Sequence, residues 1–197
     1  MECPKLVTRP TLDRVREALF SILGDLSGLC VVDLYAGSGA LGLEALSRGA
    51  RQVLLVEADR GAAEVIRKNS AGWGVGSELR VLESSVARAR GALRSIQPID
   101  LVLADPPWKI AQEAAHDVAR AARGLLAPEA RVVLGHPARE QLALDAASGL
   151  VVVSCRTWGD SALSFLTEAP KTRAPESTPD GTAEAAPAAT SEGTAAR

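Results

Sequence analysis

Five short apolar runs, at residues 29–34, 52–57, 79–83, 99–104 and 130–135, punctuate a chain whose intervening stretches carry helical periodicity. Runs of this length, apolar on both alternating faces, suit strands buried between two layers of helix. The intervening helices, expected at 40–48, 60–70, 85–95 and 110–124 with a short one at 139–147, are long enough for right-handed crossovers between parallel strands. The last two runs, 150–157 and 162–166, are joined only by Trp158-Gly159-Asp160-Ser161, which is a hairpin link. The expected fold is therefore α/β and Rossmann-like: a mostly parallel seven-stranded sheet with a C-terminal antiparallel hairpin at or near its edge.

A division into three parts follows. Residues 1–28 form an N-terminal segment whose helix, 11–23, shares one face among Leu12, Val15, Leu19, Ile22 and Leu23, with Thr11 as N-cap and Gly24 as stop. Residues 29–168 form the α/β domain. From 169 to 197 the composition turns to Pro, Ala, Thr, Ser, Glu and Gly without hydrophobic period, too little apolar surface to offset the entropy of ordering, so a disordered tail is expected. No stretch approaches a membrane span and the start lacks a signal-peptide run, which points to the cytoplasm. Cys3, Cys30 and Cys155 are isolated and only His116 and His136 could join them, so reduced thiols and no metal are expected. With a formal net charge of −2, contact with nucleic acid must rest on a local patch. Lys5, Arg9, Arg14 and Arg16 form one near the start, partly offset by Glu2, Asp13 and Glu17; charge alone reads first as a solvated helix face.

The first strand runs into Asp33-Leu34-Tyr35-Ala36-Gly37-Ser38-Gly39-Ala40-Leu41-Gly42, a glycine loop opening a helix. Gly37, Gly39 and Gly42 satisfy the dinucleotide pattern, and Glu57, followed by Ala58, closes the next strand where a ribose diol would be held. Asp33 separates two readings: a carboxylate at the mouth of the first strand repels a pyrophosphate but suits the ammonium group of S-adenosylmethionine. S-adenosylmethionine is the expected cofactor. Ser84 and Ser85, past the third strand, stand where adenine would lie, although serines starting a helix also serve as N-caps.

Asp105-Pro106-Pro107-Trp108 follows the fourth strand at the same sheet edge. Two prolines preset the backbone, holding the Asp105 carboxylate and the Pro106 carbonyl in fixed relation. An exocyclic amine of a base is a poor nucleophile because its lone pair is delocalised. Two acceptors, each taking one N–H, would bias the nitrogen toward a tetrahedral shape, while Trp108 stacks on the unstacked base.

Arg9-Pro10-Thr11, the run from Asp13 to Phe20, the run from Ala36 to Ala50, Glu57-Ala58-Asp59, Lys68-Asn69, Asp105-Pro106-Pro107-Trp108 and Trp158-Gly159-Asp160 together resemble the bacterial family that methylates guanine N2 in 16S ribosomal RNA. The resemblance implies a class I S-adenosylmethionine-dependent methyltransferase fold and, as partner, 16S rRNA in the small subunit or its assembly intermediate. It implies cofactor contacts at Asp33, Tyr35, Ala36, Gly37, Gly39, Glu57, Ala58 and Ser85, and catalytic roles for Asp105, Pro106, Pro107 and Trp108. Lys5, Arg9, Arg14 and Arg16 would face RNA phosphate, with the protein acting as a monomer and without metal. Trp108 and Trp158 stand where the family commonly carries other aromatics, and the stretch before Lys5 lacks its glycine- and arginine-rich strand. The Asp-Pro-Pro loop alone leaves open an adenine-N6 methyltransferase acting on DNA or RNA. A non-catalytic RNA-binding assembly factor and a nicotinamide oxidoreductase are the other readings.

Overall fold

The computed structural model describes residues 10–72 and 74–170. Its centre is a seven-stranded sheet built from β1 (Cys30–Leu34), β2 (Gln52–Glu57), β3 (Leu79–Glu83), β4 (Ile99–Ala104), β5 (Leu126–Pro137), β6 (Leu150–Trp158) and β7 (Ser161–Glu168). The order is β3-β2-β1-β4-β5-β7-β6, with β7 antiparallel to both neighbours and the pairs among β1 to β5 parallel. The expected α/β sheet and C-terminal hairpin are both present, with β7 inserted beside β5 and β6 left at the edge. The chain winds outward from β1 to β3, then returns to the other side of β1 with β4. Connections leaving β1 and β4 therefore diverge, opening a crevice at their carboxyl ends.

Alternating strand residues feed two buried clusters. Cys30, Val32 and Leu34 of β1, with Leu54, Val56, Val102 and Leu134, meet α4 (Arg90–Arg94) and α5 (Ala111–Ala122). On the other face, Val31, Val53, Leu55, Leu101, Leu103 and Val133 meet α1 (Pro10–Leu23), α2 (Ala40–Ser47) and α3 (Arg60–Ala71). Asp33 follows Val31 on that second face, a carboxylate inside an apolar row.

Several local expectations need correction. The first helix runs from Pro10, so Thr11 lies within its first turn and not at the N-cap position expected for it; proline suits the first turn because its missing N–H would lack a partner anyway. Its buried stripe is Val15, Leu19, Phe20 and Leu23, whereas Ile22, which keeps the helical spacing but falls beyond Val15 on the side away from Leu23 and Phe20, lies at the edge of the stripe and turns to solvent. Gly24 ends the helix as expected, at φ 74° with its N–H donating to the Phe20 carbonyl at 3.1 Å, and Arg131 Nη1 donates to the Leu23 carbonyl. Because this helix shares the sheet's core, its buried face belongs to the same packed unit as residues 29–168. Lys5, Arg9, the side chain of Leu12 and the expected tail from residue 171 onward lie outside the described residues.

No helix spans 139–147; only a 3-10 turn forms, at Ala146–Ser148. Leu142 and Leu144, two residues apart, both pack on the core, which extended backbone allows and a helix does not. Gln112 replaces the missing helical bonds by pairing with both the N–H and the carbonyl of Ala143. The expected helix at 85–95 divides into a 3-10 turn, Val86–Arg88, and the short α4. The tighter turn brings Val86 and Ala89, three apart, onto one buried face. Finally, β5 is longer than expected, starting at Leu126 through a register break opposite Ile99–Leu101 that contains Pro128 and a left-handed Glu129, φ 63°. Those residues read as loop from sequence for that reason.

Gly42 lets α2 press onto β1 and β2: an added Cβ would collide with Leu55 Cδ2 and lie 3.1 Å from Val53 Cγ1. Alanine favours a helix over glycine by about 1 kcal/mol, but overpacking a filled core costs about 1–3 kcal/mol, so the collision dominates. Gly42→Ala is expected to lower the melting temperature by several degrees in calorimetry; an unchanged or higher value would show that the layers separate freely.

Candidate functional site

The glycine loop is held by carboxylates on its two sides. From β2, Glu57 accepts the Gly37 N–H through Oε2 at 2.7 Å and the Asp59 N–H through Oε1 at 2.8 Å, tying the loop to the start of α3. Asp59 in turn caps α3 by accepting the Ala62 N–H. From β1, Asp33 Oδ2 accepts the Gly42 N–H at 2.9 Å. The residue before α2, Gly39, has no side chain to cap it and stands at φ 79°, so Asp33 supplies the missing cap from the preceding strand. Gly37, at φ 55°, and Gly39 occupy left-handed backbone that a glycine adopts without strain.

Asp33 is only 1% exposed, roofed by α2, and its Oδ1 is buried without a hydrogen-bond partner. The carboxylate expected at the mouth of the strand is thus covered by the fold. Burial raises its pKa to about 7; the Gly42 N–H opposes the rise, and the charges of Asp105 and Glu57 add to it. An orphaned, buried carboxylate oxygen calls for a proton or for a positive charge nearby.

Beyond the loop lies a cleft of about 290 Å³ between the ends of β2 and β3 and helix α5. Tyr35, Val56, Ala58, Val86 and Ile110 give it apolar walls, and Glu57, Ser84, Ser85, Glu113 and Asp117 give it polar ones. The size is near the lower end of small-molecule sites, roughly 300 Å³. None of these lining residues is basic, and three are carboxylates. Burial, with the charges of Asp117 and Glu113 secondary to it, pushes the Tyr35 hydroxyl up to about 12, so it stays a neutral donor.

Across the crevice, Asp105 follows β4 and stands opposite Gly135, one step past the Ala104–Leu134 pair. It is exposed to the crevice, and partial desolvation raises its carboxyl above the ordinary range. Pro106 is buried and Pro107 is exposed; the Pro107 carbonyl accepts the Ile110 N–H at 3.0 Å, closing a 3-10 turn that projects Trp108, 40% exposed. Trp108 and Ile110 thus form an apolar step between the cleft and Asp105.

The structure brings together Tyr35, Glu57, Ala58 and Ser85 in the cleft, with Ala36, Gly37 and Gly39 in the adjoining loop. Ser85 precedes a 3-10 turn without capping it through its side chain, which leaves its hydroxyl available at the cleft. Arg14 and Arg16 stand apart on α1, Arg14 exposed and Arg16 paired with Asp13 at 3.1 Å. Sequence reasoning missed Val56, Val86, Ile110, Glu113 and Asp117. The four-residue spacing of Glu113 and Asp117 shows that they share a helix face, but not that the face borders a cleft. Among the described residues, no cluster of three or more His, Cys, Asp or Glu could hold a metal, and no helix is long and apolar enough to cross a membrane.

The donor set fits a cationic ligand carrying an adenosyl group. Apolar walls accept a flat ring, Glu57 keeps a free lone pair on each oxygen for a diol, and the carboxylates offer charge to a cation. The same set opposes a pyrophosphate.

The family model described as Conserved hypothetical protein 95 matches residues 2–167. Ribosomal RNA small subunit methyltransferase D of Escherichia coli K12 is 42% identical over 103 residues, which is 51% of this chain and 50% of that protein. The Haemophilus influenzae protein of the same name is 36% identical over 102 residues, 51% and 53% of the two chains. The chain thus spans about half the length of these curated relatives. The solved structure named "Putative methyltransferase yhhF from Escherichia coli" superposes with a TM-score of 0.69 at 30% identity over 86% of this chain and 92% of that one.

The raised Asp33 pKa sets a pH dependence. Between 3.8, its ordinary value, and about 7, the folded protein keeps a proton that the unfolded chain has lost. Stability contributed by this group is therefore greatest at low pH and falls as pH rises through that window, by up to about 1.4 kcal/mol per pH unit. Asp33→Asn, which keeps an acceptor for the Gly42 N–H, is expected to flatten that fall in urea denaturation between pH 4.5 and 7.5. A variant with the parent's full slope would place the proton elsewhere.

Proposed function

This chain belongs to the family described as Conserved hypothetical protein 95, and on that premise we propose that it is an S-adenosylmethionine-dependent methyltransferase. Its substrate in this reading is the exocyclic N2 amine of a guanine in 16S rRNA, within the small subunit or its assembly intermediate. The protein acts in the cytoplasm as a monomer, since one chain supplies both sides of the crevice. One observation carries the reading: a carboxylate-rich cleft without lining cations opens beside a proline-stiffened Asp105 loop at the switch point of the sheet. The named relatives above support ribosomal RNA as the substrate class, and the resemblance in the loops supports guanine N2.

When bound, S-adenosylmethionine supplies an electrophilic methyl group on a sulfonium centre. Glu57 accepts the ribose hydroxyls, while Val56, Ala58, Val86 and Ile110 enclose the adenine and Ser85 meets its edge. Asp33 serves the ammonium group from beneath the loop as a buried counter-charge. Asp105 and the Pro106 carbonyl each accept one N–H of the amine, turning its lone pair out of the ring, and Trp108 stacks on the base. Proximity and orientation supply the rate, because the prolines leave the acceptors little freedom to wander. Once nitrogen carries the methyl group its proton is acidic, and the adjacent Asp105 carboxylate or water takes it.

The direct test is to incubate the protein with labelled donor and unmethylated small subunits, then identify the modified nucleoside by mass spectrometry. N2-methylguanosine is expected; N6-methyladenosine would transfer the reading to the adenine alternative, and no label would end it. Calorimetry should show saturable S-adenosylmethionine binding and no response to NAD.

Asp105→Ala is expected to leave donor affinity nearly intact and to lower methyl transfer by roughly a hundredfold or more, as for a contact made chiefly in the transition state. Parallel losses in both would make Asp105 a cofactor-binding residue. For the RNA face, Arg14→Ala combined with Arg16→Ala should weaken substrate binding and flatten log affinity against log salt by about one unit. An unchanged slope would return both arginines to solvation of the helix.

A further inference from the structure

The Asp105 carboxylate has no hydrogen bond or ion pair among the described residues, although it must hold one direction to accept an amine proton. Its placement is steric instead. The carboxylate leans over β5 at the one position where the strand has no side chain: a Cβ built on Gly135 would lie 2.5 Å from Asp105 Oδ1, 3.3 Å from Cγ and 3.6 Å from Cα. Gly135 does not adopt the left-handed backbone that would require glycine, in contrast to Gly37 and Gly39. It lies inside a paired strand, opposite Leu163 of β7, where glycine weakens the sheet and a larger residue would fit the backbone. Its missing side chain serves the space above it.

We propose that Gly135 is a positioning residue for the transfer, setting the direction of the Asp105 carboxylate by leaving vacant the volume that the carboxylate fills. The inference rests on the reading of Asp105 as the acceptor of the amine proton. A methyl group at position 135 displaces the far end of one flexible side chain that opens onto the crevice, so the fold adapts while the acceptor is misaimed. Displacements of about 1 Å at a reacting centre cost up to roughly a hundredfold in rate. Partial desolvation of the Asp105 carboxyl agrees with a group held against the strand.

The experiment combines Gly135→Ala with Asp105→Ala in a cycle, with calorimetry, transfer kinetics and a crystal structure of Gly135→Ala. The expected Gly135→Ala protein melts at or above the parent temperature, binds S-adenosylmethionine within about twofold of the parent, and transfers methyl groups ten- to a hundredfold more slowly, chiefly through kcat. Its crystals show Asp105 in a different rotamer, and adding Gly135→Ala to Asp105→Ala costs nothing further. Asp105 unmoved in the crystal, or an equal rate loss in the Asp105→Ala background, would overturn the proposal. If Asp105→Ala alone transfers at full rate, the role assigned to Asp105 fails and the proposal falls with it; a displaced carboxylate in the crystal then shows only that Gly135 sets its direction, without consequence for the transfer.

Discussion

A carboxylate sealed inside an apolar row sets the terms for the rest of the site. Asp33 sits on the sheet face where Val31, Leu103 and Val133 pack, and it has one donor, the Gly42 N–H. That bond is what caps α2, because Gly39 has no side chain and the loop before it needs left-handed backbone. Glu57 holds the other side of the same loop through Gly37. The loop's shape therefore depends on two acids from neighbouring strands, and the close approach of α2 depends on Gly42 having no Cβ. Pulling either acid away would free the loop that borders the cleft.

This arrangement has an electrostatic cost in the free protein. Burial raises the Asp33 pKa, the charges of Asp105 and Glu57 add to the rise, and Glu113 and Asp117 place further charge along the cleft wall. With no basic side chain lining the cleft, relief comes from a proton on Asp33 or from a ligand that carries positive charge. A buried acid with a vacant lone pair is then a stored preference for a cation, and the same preference excludes a polyphosphate. The dinucleotide-like glycine spacing is thus overruled by the charges around it.

On the other side of the crevice, rigidity has a different source. The Asp105 loop is set by two prolines and a 3-10 turn, and its carboxylate lies over the bare surface of β5 at Gly135. The first helix packs on the same sheet face as Asp33, through Val15, Leu19, Phe20 and Leu23, so its arginines project from an element fixed to the core. Arg48, which closes α2, stacks over Phe20 of α1 with its guanidinium 4.9 Å from the ring centre, linking the first helix to the cofactor-loop helix.

The alternation of apolar runs and helical periods determined the sheet, its parallel core and its terminal hairpin, since burial on both faces forces that pattern on any such chain. Boundaries of β2, β3 and β4 were legible to the residue for the same reason. Local motifs likewise placed Gly37, Gly39, Glu57 and the Asp-Pro-Pro-Trp loop at one sheet edge, because chain direction in a parallel sheet leaves no other edge for them. Where periodicity misled, at 139–147, the competing bonds came from Gln112, far away in sequence, and two leucines preferred an extended path to the core. Tertiary structure alone decided that Asp33 is roofed over, that Glu113 and Asp117 border the cleft, and that Asp105 rests against Gly135. Each depends on which faces of two distant elements meet, and spacing along one chain carries no record of that meeting.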